Sequence, residues 1–248
     1  MSLHGKKIVV TGASKGLGLG IVRRLAQEGA NIIAHYNSGD ISEAEAIARE
    51  AGVTFTSIQA DLSQECGTKS LIDKLSQHED IYGLVNNAGV CFFEDFFDIS
   101  AESFDKTFNI NVKSVFLITQ KVTQAMVKKN IKGRVVNLSS IAAISGSATQ
   151  VHYGAAKGAI ISFTKAAADA LGKYSITVNA IAPGPIPTKH NSEFLAMDDL
   201  RENICDRMPL GEYGKPENIA DAVVYLLGEG AGWTTGVLLP VDGGFLSK

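Results

Sequence analysis

The stretch that decides the fold is Lys6–Gly18, which reads KKIVVTGASKGLG. Its first part, Lys6–Val10, is a β-branched apolar run of the kind found in buried strands. The glycines that follow permit a tight turn, and Gly16–Glu28 then carries apolar residues at helical spacing up to a stop at Gly29. The free N–H groups and the positive end of this helix face the turn. The stretch therefore predicts a binding site for a phosphate-bearing nucleotide.

The same alternation of strand and helix continues to the end of the chain. Further strands are predicted at 31–35, 54–59, 82–86, 134–138, 176–182 and 237–241. Further helices are predicted at 42–51, 63–78, 98–129 with a join at 109–111, 151–173 and 216–227. Continuous apolar strands separated by helices predict an α/β fold: a Rossmann-like, doubly wound parallel sheet of about seven strands with helices on both faces. We expect one domain, 1–248, with a flexible substrate flap at about 188–211.

Composition excludes several classes of function. The chain has 248 residues and a net charge of −3, which gives no electrostatic case for binding nucleic acid. No apolar run approaches the ~20 residues of a membrane span, so no membrane association is expected. The three cysteines form no C-x-x-C pair and the five histidines show no metal-ligand spacing. With no secretion signal at the N-terminus, these features predict a cytoplasmic protein without disulfide or metal site.

A second motif lies in the stretch 140–157, which reads SIAAISGSATQVHYGAAK. If this stretch opens a helix, Tyr153 and Lys157 lie one turn apart on the same face. A phenol has an unperturbed pKa of about 10, and a nearby ammonium favours the phenolate. The pair is thus a candidate for proton transfer, with Ser140 positioned to add a hydroxyl. A surface tyrosine and a solvated lysine would give the same spacing, and chance pairs are expected at this chain length.

Taken together, the motifs resemble those of the classical short-chain dehydrogenase/reductase family over nearly the whole chain. The family's T-G-x-x-x-G-x-G motif corresponds to TGASKGLG at 11–18, and its N-N-A-G motif to 86–89. Its Asn, Ser and Y-x-x-x-K residues correspond to Asn111, Ser140 and the pair Tyr153 and Lys157. The resemblance implies an NAD(P)-dependent oxidoreductase that interconverts a carbonyl and a secondary alcohol.

The same resemblance assigns roles to individual residues. Tyr153 would transfer the proton, Lys157 would lower its pKa and bind the nicotinamide ribose, and Ser140 would stabilise the oxyanion. Asn111 would hold a water molecule, and the adjacent Ser139 is not expected to take part. The cofactor would be bound by Gly12, Ser14, Lys15, Gly16, Leu17, Gly18, Tyr36, Asn37, Ser38, Asp61, Leu62, Asn87, Ala88, Gly89, Tyr153, Lys157, Pro183, Gly184, Ile186 and Thr188.

The resemblance also bears on the choice of cofactor. Relatives that prefer NAD place an aspartate at the end of the second strand, where it binds the ribose 2′-hydroxyl. That position is Tyr36 here, followed by Asn37 and Ser38, so no carboxylate would repel a 2′-phosphate. Lys15 stands where NADP-preferring relatives carry a basic residue. NADP (NADPH) is therefore favoured, and NAD remains possible because Asn37 replaces a second basic residue of many such relatives.

The resemblance favours an NADPH-dependent ketoreductase similar to 3-oxoacyl-acyl-carrier-protein reductase, and a sugar or polyol dehydrogenase is the alternative. The overall pattern resembles 3-oxoacyl-acyl-carrier-protein reductases, for which Lys128, Lys129 and Lys173 would form a basic patch towards an acidic carrier. The stretches 151–153 and 183–188 instead resemble those of sugar dehydrogenases, in which His152 would bind a polyol hydroxyl or turn into the packing. The aromatic stretch 91–97 is expected to form core or subunit contacts in preference to one wall of the substrate site.

The expected partners are a small carbonyl or alcohol substrate and further copies of the chain. Relatives pair the helices that contain 112–126 and begin at 153, which implies a homotetramer. Small residues on the second helix would permit close approach: Ala155, Ala156, Ala159, Ala166, Ala167 and Ala170. A remote alternative is a nucleotide-sensing protein without catalysis, because the fold alone does not fix the function.

Overall fold

The computed structural model describes residues 3–188 and 204–248. Seven strands form one sheet, and every strand pairing in it is parallel. The strands are β1 (Lys7–Thr11), β2 (Asn31–Tyr36), β3 (Phe55–Gln59), β4 (Ile81–Asn86), β5 (Arg134–Leu138), β6 (Thr177–Pro183) and β7 (Leu238–Val241). Their spatial order is β3-β2-β1-β4-β5-β6-β7. The predicted doubly wound parallel sheet is confirmed.

Helices connect the strands and lie on both faces of the sheet. They are α1 (Gly16–Gln27), α2 (Ser42–Glu50), α3 (Glu65–Leu75), α4 (Ala101–Phe108), α5 (Ser114–Lys128), α6 (Ala142–Ser145), α7 (Val151–Gly172) and α8 (Pro216–Leu227). Short 3₁₀ turns occur at Phe96–Asp98, Glu229–Ala231 and Phe245–Ser247. The four-residue helix α6 was not predicted from the sequence.

Most predicted boundaries differ from the observed ones by one or two residues, and the third helix differs most. It was predicted at 63–78 and spans Glu65–Leu75. The Asp61 carboxylate accepts a hydrogen bond of 2.9 Å from the Ser63 backbone N–H, which forms a local turn before the helix begins. The predicted join in the long fourth helix is a π-helical turn, Asn109–Lys113, between α4 and α5.

Alternating side chains of each strand enter two apolar clusters, one on each face of the sheet. On β1, Ile8 and Val10 pack into the cluster that contains α1 and α8, whereas Val9 packs into the cluster that contains α3 and α5. Gly20 lets α1 and α8 approach closely, because a Cβ atom there would lie 2.8 Å from the Cβ of Pro216. Burial on both faces explains why the strands are continuous apolar runs.

The chain order in the sheet reverses between β1 and β4, since the crossovers before and after this point run to opposite sides. Helices therefore diverge at the carboxyl ends of these strands and leave a crevice, which is where open α/β sheets bind ligands. Within the described ranges, no helix has both the length and the apolar character to cross a membrane. Residues 189–203 of the predicted flap lie outside the described residues.

Candidate active site

A cleft of about 950 Å³ runs along the carboxyl ends of the strands, from the glycine turn after β1 to the segment after β7. It is lined by nearly all of the residues predicted to bind the cofactor. Tyr36 is the exception among them: it ends β2 and does not line the cleft, whereas its neighbours Asn37 and Ser38 do. The predicted site therefore forms one continuous surface, and Tyr36 is a correction to it. As the last residue of the strand, Tyr36 pairs with Gln59 of β3.

The glycine turn is packed so closely that side chains would not fit. Gly12 has a φ of +68°, and a Cβ atom there would lie 2.9 Å from the Cα of Ala88. A Cβ atom on Gly18 would lie 2.0 Å from the Gly12 carbonyl oxygen. Gly16, with a φ of +55°, opens α1 at the cleft surface. This geometry brings bare backbone N–H groups to the cleft, as a pyrophosphate requires.

The N-N-A-G motif holds this turn in place. Asn87 Nδ2 donates to the carbonyl oxygens of Thr11 at 2.8 Å and Gly12 at 3.0 Å. In return, Thr11 Oγ1 accepts hydrogen bonds from the backbone N–H groups of Asn87 and Ala88, each at 3.0 Å. The first asparagine of the motif, Asn86, binds Thr119 Oγ1 and Asn137 Oδ1 between strands β4 and β5. The motif is therefore scaffolding for the phosphate end of the cleft.

His35 also supports the glycine turn, a role that the sequence did not reveal. Its Nδ1 accepts a hydrogen bond of 3.3 Å from the Gly12 backbone N–H, and its Nε2 lies 3.0 Å from the Ala60 carbonyl oxygen. Because a carbonyl only accepts, the proton must be on Nε2 and the ring is neutral. Burial lowers the pKa of His35, which favours the same neutral form.

Ser140, Tyr153 and Lys157 meet in the middle of the cleft, where β5 ends and α7 begins. The Ser140 hydroxyl is close enough to Tyr153 to lower the pKa of its phenol, and its Oγ accepts a hydrogen bond of 3.1 Å from the Ala142 backbone N–H. Lys157 lies one helical turn after Tyr153, is only 4% exposed, and has its Nζ 5.7 Å from the centre of the Tyr153 ring. The three predicted catalytic side chains are thus brought together. Ser139 faces elsewhere, because its Oγ donates to the Lys157 carbonyl oxygen at 2.9 Å.

The expectation that Lys157 lowers the pKa of Tyr153 stays a prediction. Burial raises the pKa of Tyr153, and the Cys91 thiol raises it further, whereas the Ser140 hydroxyl lowers it. Burial also lowers the pKa of Lys157 to about 8. Lys157 Nζ donates to the Leu138 carbonyl oxygen at 2.8 Å.

Asn111 lies in the π-helical turn and is fully buried. Its Nδ2 donates to the carbonyl oxygens of Val90 at 2.9 Å and Thr107 at 3.0 Å. Its Oδ1 has no hydrogen-bond partner among the described residues. A Cβ atom on Gly89 would lie 2.7 Å from this oxygen and 3.4 Å from Lys157 Nζ, so the two groups face the same small space. A buried carbonyl oxygen of this kind suits a bridging water.

The segment after β6 borders the other side of the cleft. Pro183, Gly184, Ile186 and Thr188 all line it. Gly184 is required there, because a Cβ atom would lie 2.5 Å from the Cα of Asp242. A Cβ atom on Gly16 would lie 3.5 Å from Thr188 Cγ2, so this segment reaches the glycine turn across the cleft.

His152 does not line the cleft, so the structure favours packing over a polyol contact. Its Nε2 lies 3.3 Å from Glu94 Oε2, and Ser103 Oγ donates to the same carboxylate. Its ring is stacked parallel to Phe92, with the ring centres 6.4 Å apart. The aromatic stretch is accordingly divided: Cys91 and Phe93 line the cleft, whereas Phe97 is 95% exposed.

The proposed basic patch for an acyl carrier lies on the wrong side of the molecule. Lys128 and Lys129 end near the start of β5, and Lys173 comes just before β6. These positions are at the amino ends of the strands, opposite to the cleft. Lys129 is moreover paired with Glu79 at 2.5 Å. The patch therefore does not border the site.

The sequence analysis missed the polar wall between α6 and α7. Ser145, Ser147, Thr149 and Gln150 all line the cleft beside Ser140 and Tyr153. It also missed Arg207 and Phe245 at the far end. None of these residues belongs to one of the motifs described above. The only indication in the sequence that any of them lines the cleft is that Gln150 lies three residues before Tyr153. Among the described residues, no group of His, Cys, Asp or Glu is arranged to hold a metal ion.

Comparison with known proteins identifies the class to which this site belongs. A family model described as "Enoyl-(Acyl carrier protein) reductase" matches residues 12–246. The chain is 37% identical to the L-rhamnose 1-dehydrogenase (NADP(+)) of Thermoplasma acidophilum, covering 99% of this chain and 98% of that protein. It is 33% identical to the 3-oxoacyl-[acyl-carrier-protein] reductase of Aquifex aeolicus, covering 98% of each.

A solved structure shows the same fold with a cofactor bound. It is an Agrobacterium tumefaciens protein, provisionally named a 2-deoxy-D-gluconate 3-dehydrogenase, with NADP. The TM-score is 0.94 at 32% identity, with 100% of this chain and 98% of that chain covered.

The chain belongs to the short-chain dehydrogenase/reductase family. It is an NAD(P)-dependent oxidoreductase that acts on CH–OH groups and the corresponding carbonyls.

Proposed function

We propose that this protein is an NADP-dependent dehydrogenase of polyhydroxylated substrates, that is, of a sugar or a sugar acid. One observation carries the proposal: the segment between Ser140 and Tyr153 brings the hydroxyl and amide residues Ser145, Ser147, Thr149 and Gln150 to the cleft. Such groups can both donate and accept hydrogen bonds with substrate hydroxyls. A site built from them discriminates strongly against a ligand that lacks those hydroxyls.

The catalytic roles follow from the arrangement of the side chains. The nicotinamide, when bound, exchanges a hydride with the substrate carbon. Ser140 Oγ and Tyr153 OH, which lie beside each other in the cleft, bind the substrate oxygen, and Tyr153 gives it a proton or takes one from it. Lys157 keeps positive charge beside the tyrosine, which offsets the effect of burial on its pKa when the cleft is filled. Asn111 Oδ1, which faces Lys157 Nζ, holds a water that supplies protons.

The glycine turn and Lys15 support the choice of NADP. Lys15 lines the cleft beside Asn37 and Ser38, and Asp61 is the acidic side chain among the described lining residues. The two residues directly after β2, Asn37 and Ser38, therefore carry no carboxylate, and Lys15 brings a positive charge to the same part of the cleft, which suits a 2′-phosphate. NAD is the weaker alternative, and the relatives described above include NADP-dependent and NADP-bound proteins.

Reduction of a carrier-bound 3-oxoacyl group is the second candidate. It is favoured by the 33% identity to the Aquifex aeolicus reductase. Against it, the basic residues at 128, 129 and 173 lie at the edge of the sheet opposite to the cleft, so they would not guide a carrier to Tyr153. A non-catalytic sensor is not supported, because the chain retains Ser140, Tyr153 and Lys157 together in the cleft.

We further propose one domain over the full chain and a cytoplasmic homotetramer. A single sheet joins the N-terminal and C-terminal parts of the described chain, which supports one domain. Free cysteines, two of them half-buried and one exposed, fit a reducing compartment.

A substrate panel separates the two candidate functions. Purified protein is mixed with NADP⁺ and each of a set of aldoses, alditols and aldonates, and separately with NADPH and a β-ketoacyl thioester. We expect turnover of one or more polyhydroxylated substrates at a kcat/KM at least about tenfold above that for the thioester. Turnover of the thioester alone would establish the acyl reductase instead.

A further inference from the structure

The end of the cleft beyond the catalytic side chains contains an arginine that the family motifs do not include. Arg207 lines the cleft, and its guanidinium lies 4.0 Å from the centre of the Phe245 ring. Phe245 is buried at 7% exposure and also lines the cleft. Stacking on a buried ring holds the guanidinium plane while leaving the N–H groups at its edges available. Arg207 is exposed at the mouth of the cleft, where a substrate would enter.

This arginine is far from the phosphate end. Lys15 follows β1, whereas Phe245 follows β7, and these strands are separated by β4, β5 and β6. Four strand spacings of about 4.8 Å place the two strands roughly 19 Å apart. The glycine turn already provides the phosphate site beside Lys15. Arg207 is therefore a second cation, on the substrate side of Ser140 and Tyr153.

No described group neutralises this cation. Arg207 has no ion pair or hydrogen bond with any residue in 3–188 or 204–248. Asp61, which is the acidic side chain among the described lining residues, lies after β3 at the opposite end. Lys157, the other nearby cation, already donates to the Leu138 carbonyl oxygen. Among the described lining residues, the guanidinium of Arg207 is thus the positive charge at this end of the cleft.

We propose that Arg207 binds the carboxylate of the substrate, so that the preferred substrates are sugar acids rather than neutral sugars. This inference rests on the proposed function and makes its substrate class more specific. The hydroxyl groups of the substrate contact the polar wall, its reacting C–O group lies between Ser140 and Tyr153, and its carboxylate accepts two hydrogen bonds from the guanidinium. Arg207 is a specificity-determining residue that does not touch the reacting atoms.

The test compares matched substrates that differ only at the terminal group, such as D-gluconate and D-glucitol, together with the other pentose- and hexose-derived pairs. For the wild type, kcat/KM should be at least about tenfold higher for the acid than for the alditol of the active pair. In Arg207→Gln, this ratio should fall about 10–100-fold, mostly through KM, because a charged, two-point hydrogen bond is lost. Arg207→Lys should keep part of the preference for the acid, since lysine keeps the positive charge but cannot form the two parallel hydrogen bonds of a guanidinium.

The control is Arg49→Gln, which removes the same charge from an exposed site on α2 outside the cleft. It should leave the acid-to-alditol ratio unchanged, and thermal melting should show that all variants are folded. An equal loss for both members of the pair in Arg207→Gln would overturn the carboxylate assignment, as would a raised KM for NADPH alone. Turnover of neutral polyols without a preference for the acid would exclude Arg207 as the residue that binds a carboxylate but would still support a sugar dehydrogenase. Turnover of the thioester alone would contradict both the role of Arg207 and the proposed function.

Discussion

The side chain of Lys157 is almost completely buried, and this burial affects the pKa of Lys157, whereas Tyr153 is buried beside it. At 4% exposure its ammonium is stabilised by the Leu138 carbonyl oxygen, and burial lowers its pKa to about 8. It is therefore mostly protonated at neutral pH and loses its proton above about pH 8. Tyr153, buried beside it, has a raised pKa. The pair is thus a neutral phenol next to a cation, which is the state that can donate a proton to a forming alkoxide.

Replacing Tyr153 by phenylalanine removes only the proton-transferring oxygen. We expect kcat to fall by about 10²–10⁴-fold, because this is the typical contribution of a positioned general acid or base. Cofactor binding should change little, since the ring and Lys157 remain. Steady-state kinetics measures kcat, and a fluorescence titration with NADPH measures cofactor binding. Near-normal turnover in a folded Tyr153→Phe variant would contradict the catalytic assignment.

Lys15 is the cation at the ribose end of the cleft. Lys15→Ala should raise KM for NADPH about tenfold or more and KM for NADH little, because only NADPH has the 2′-phosphate that the ammonium would contact. The control is Lys128→Ala, an exposed lysine at the opposite edge of the sheet, which should change neither value. Equal increases for the two cofactors in Lys15→Ala would remove the assignment of Lys15 to the phosphate.

His35 couples cofactor binding and stability to pH. Its pKa is lowered in the folded protein by burial, against smaller opposing effects of the hydrogen bond to the Ala60 carbonyl oxygen and of the Asp61 charge. Between the unfolded value of about 6.5 and this lower value the unfolded chain binds more protons, so stability is lost as pH falls through that window. Protonation of Nδ1 also removes the acceptor for the Gly12 N–H, so NADPH affinity should fall with it.

The matched variant for this prediction is His35→Gln, whose amide can accept from one side and donate to the other without titrating. Melting temperature should decrease between pH 7 and pH 5 by several degrees more in the wild type than in His35→Gln. The difference between the two proteins is the relevant quantity, because burial also lowers the pKa of His78. Parallel curves would exclude His35 as the origin of the pH dependence.

At the scale of elements, the site depends on irregular segments held by regular ones. The π-helical turn Asn109–Lys113 directs the Asn111 amide towards β4 and the catalytic lysine. The loop between α6 and α7 supplies the polar wall, and the backbone N–H of Glu94 ties the segment after β4 to it through a hydrogen bond of 2.9 Å to the Thr149 carbonyl oxygen. Glu94, His152 and Ser103 strengthen the same connection in the interior.

Asn111→Ala tests the π-helical turn. The substitution leaves the buried carbonyl oxygens of Val90 and Thr107 without this donor, which should lower the free energy of unfolding by about 1–3 kcal/mol. It also removes the Oδ1 atom facing Lys157, so kcat should fall more than KM changes. Denaturant unfolding and steady-state kinetics measure the two effects. A loss of stability with unchanged kcat would limit Asn111 to a structural role.

At the scale of the whole molecule, the carboxyl edge of the sheet contains the cleft and the outer helices offer surfaces for assembly. On α7, Ala155, Ala166 and Ala170 are exposed, whereas Ala156 is fully buried, so only part of the predicted small-residue face points outwards. Phe116 on α5 is 47% exposed and contacts Phe163 on α7 with ring centres 5.5 Å apart. Exposed apolar surface of this kind is typical of protein–protein contacts.

We expect a homotetramer, with a mass four times the chain mass of 26.3 kDa by light scattering on a sizing column. Ala166→Glu should reduce the mass to that of a smaller species, because a charge on each of two facing helices would be buried in a two-fold contact. The control of equal charge is Ser76→Glu, at an exposed position directly after α3. A tetramer that persists in Ala166→Glu would place the contact elsewhere.

The sequence by itself determined the parallel sheet, the order of strands and helices along the chain, and the candidate catalytic side chains Ser140, Tyr153 and Lys157. These features are local: apolar runs, glycine turns and a four-residue spacing are encoded in neighbouring residues. The tertiary structure alone decided that His152 turns into the packing, that Tyr36 leaves the cleft, and that the lysines at 128, 129 and 173 lie on the opposite edge. It also brought His35, Gln150 and Arg207 to the site from separate parts of the chain, because which side chains share one cleft depends on how distant strands pair.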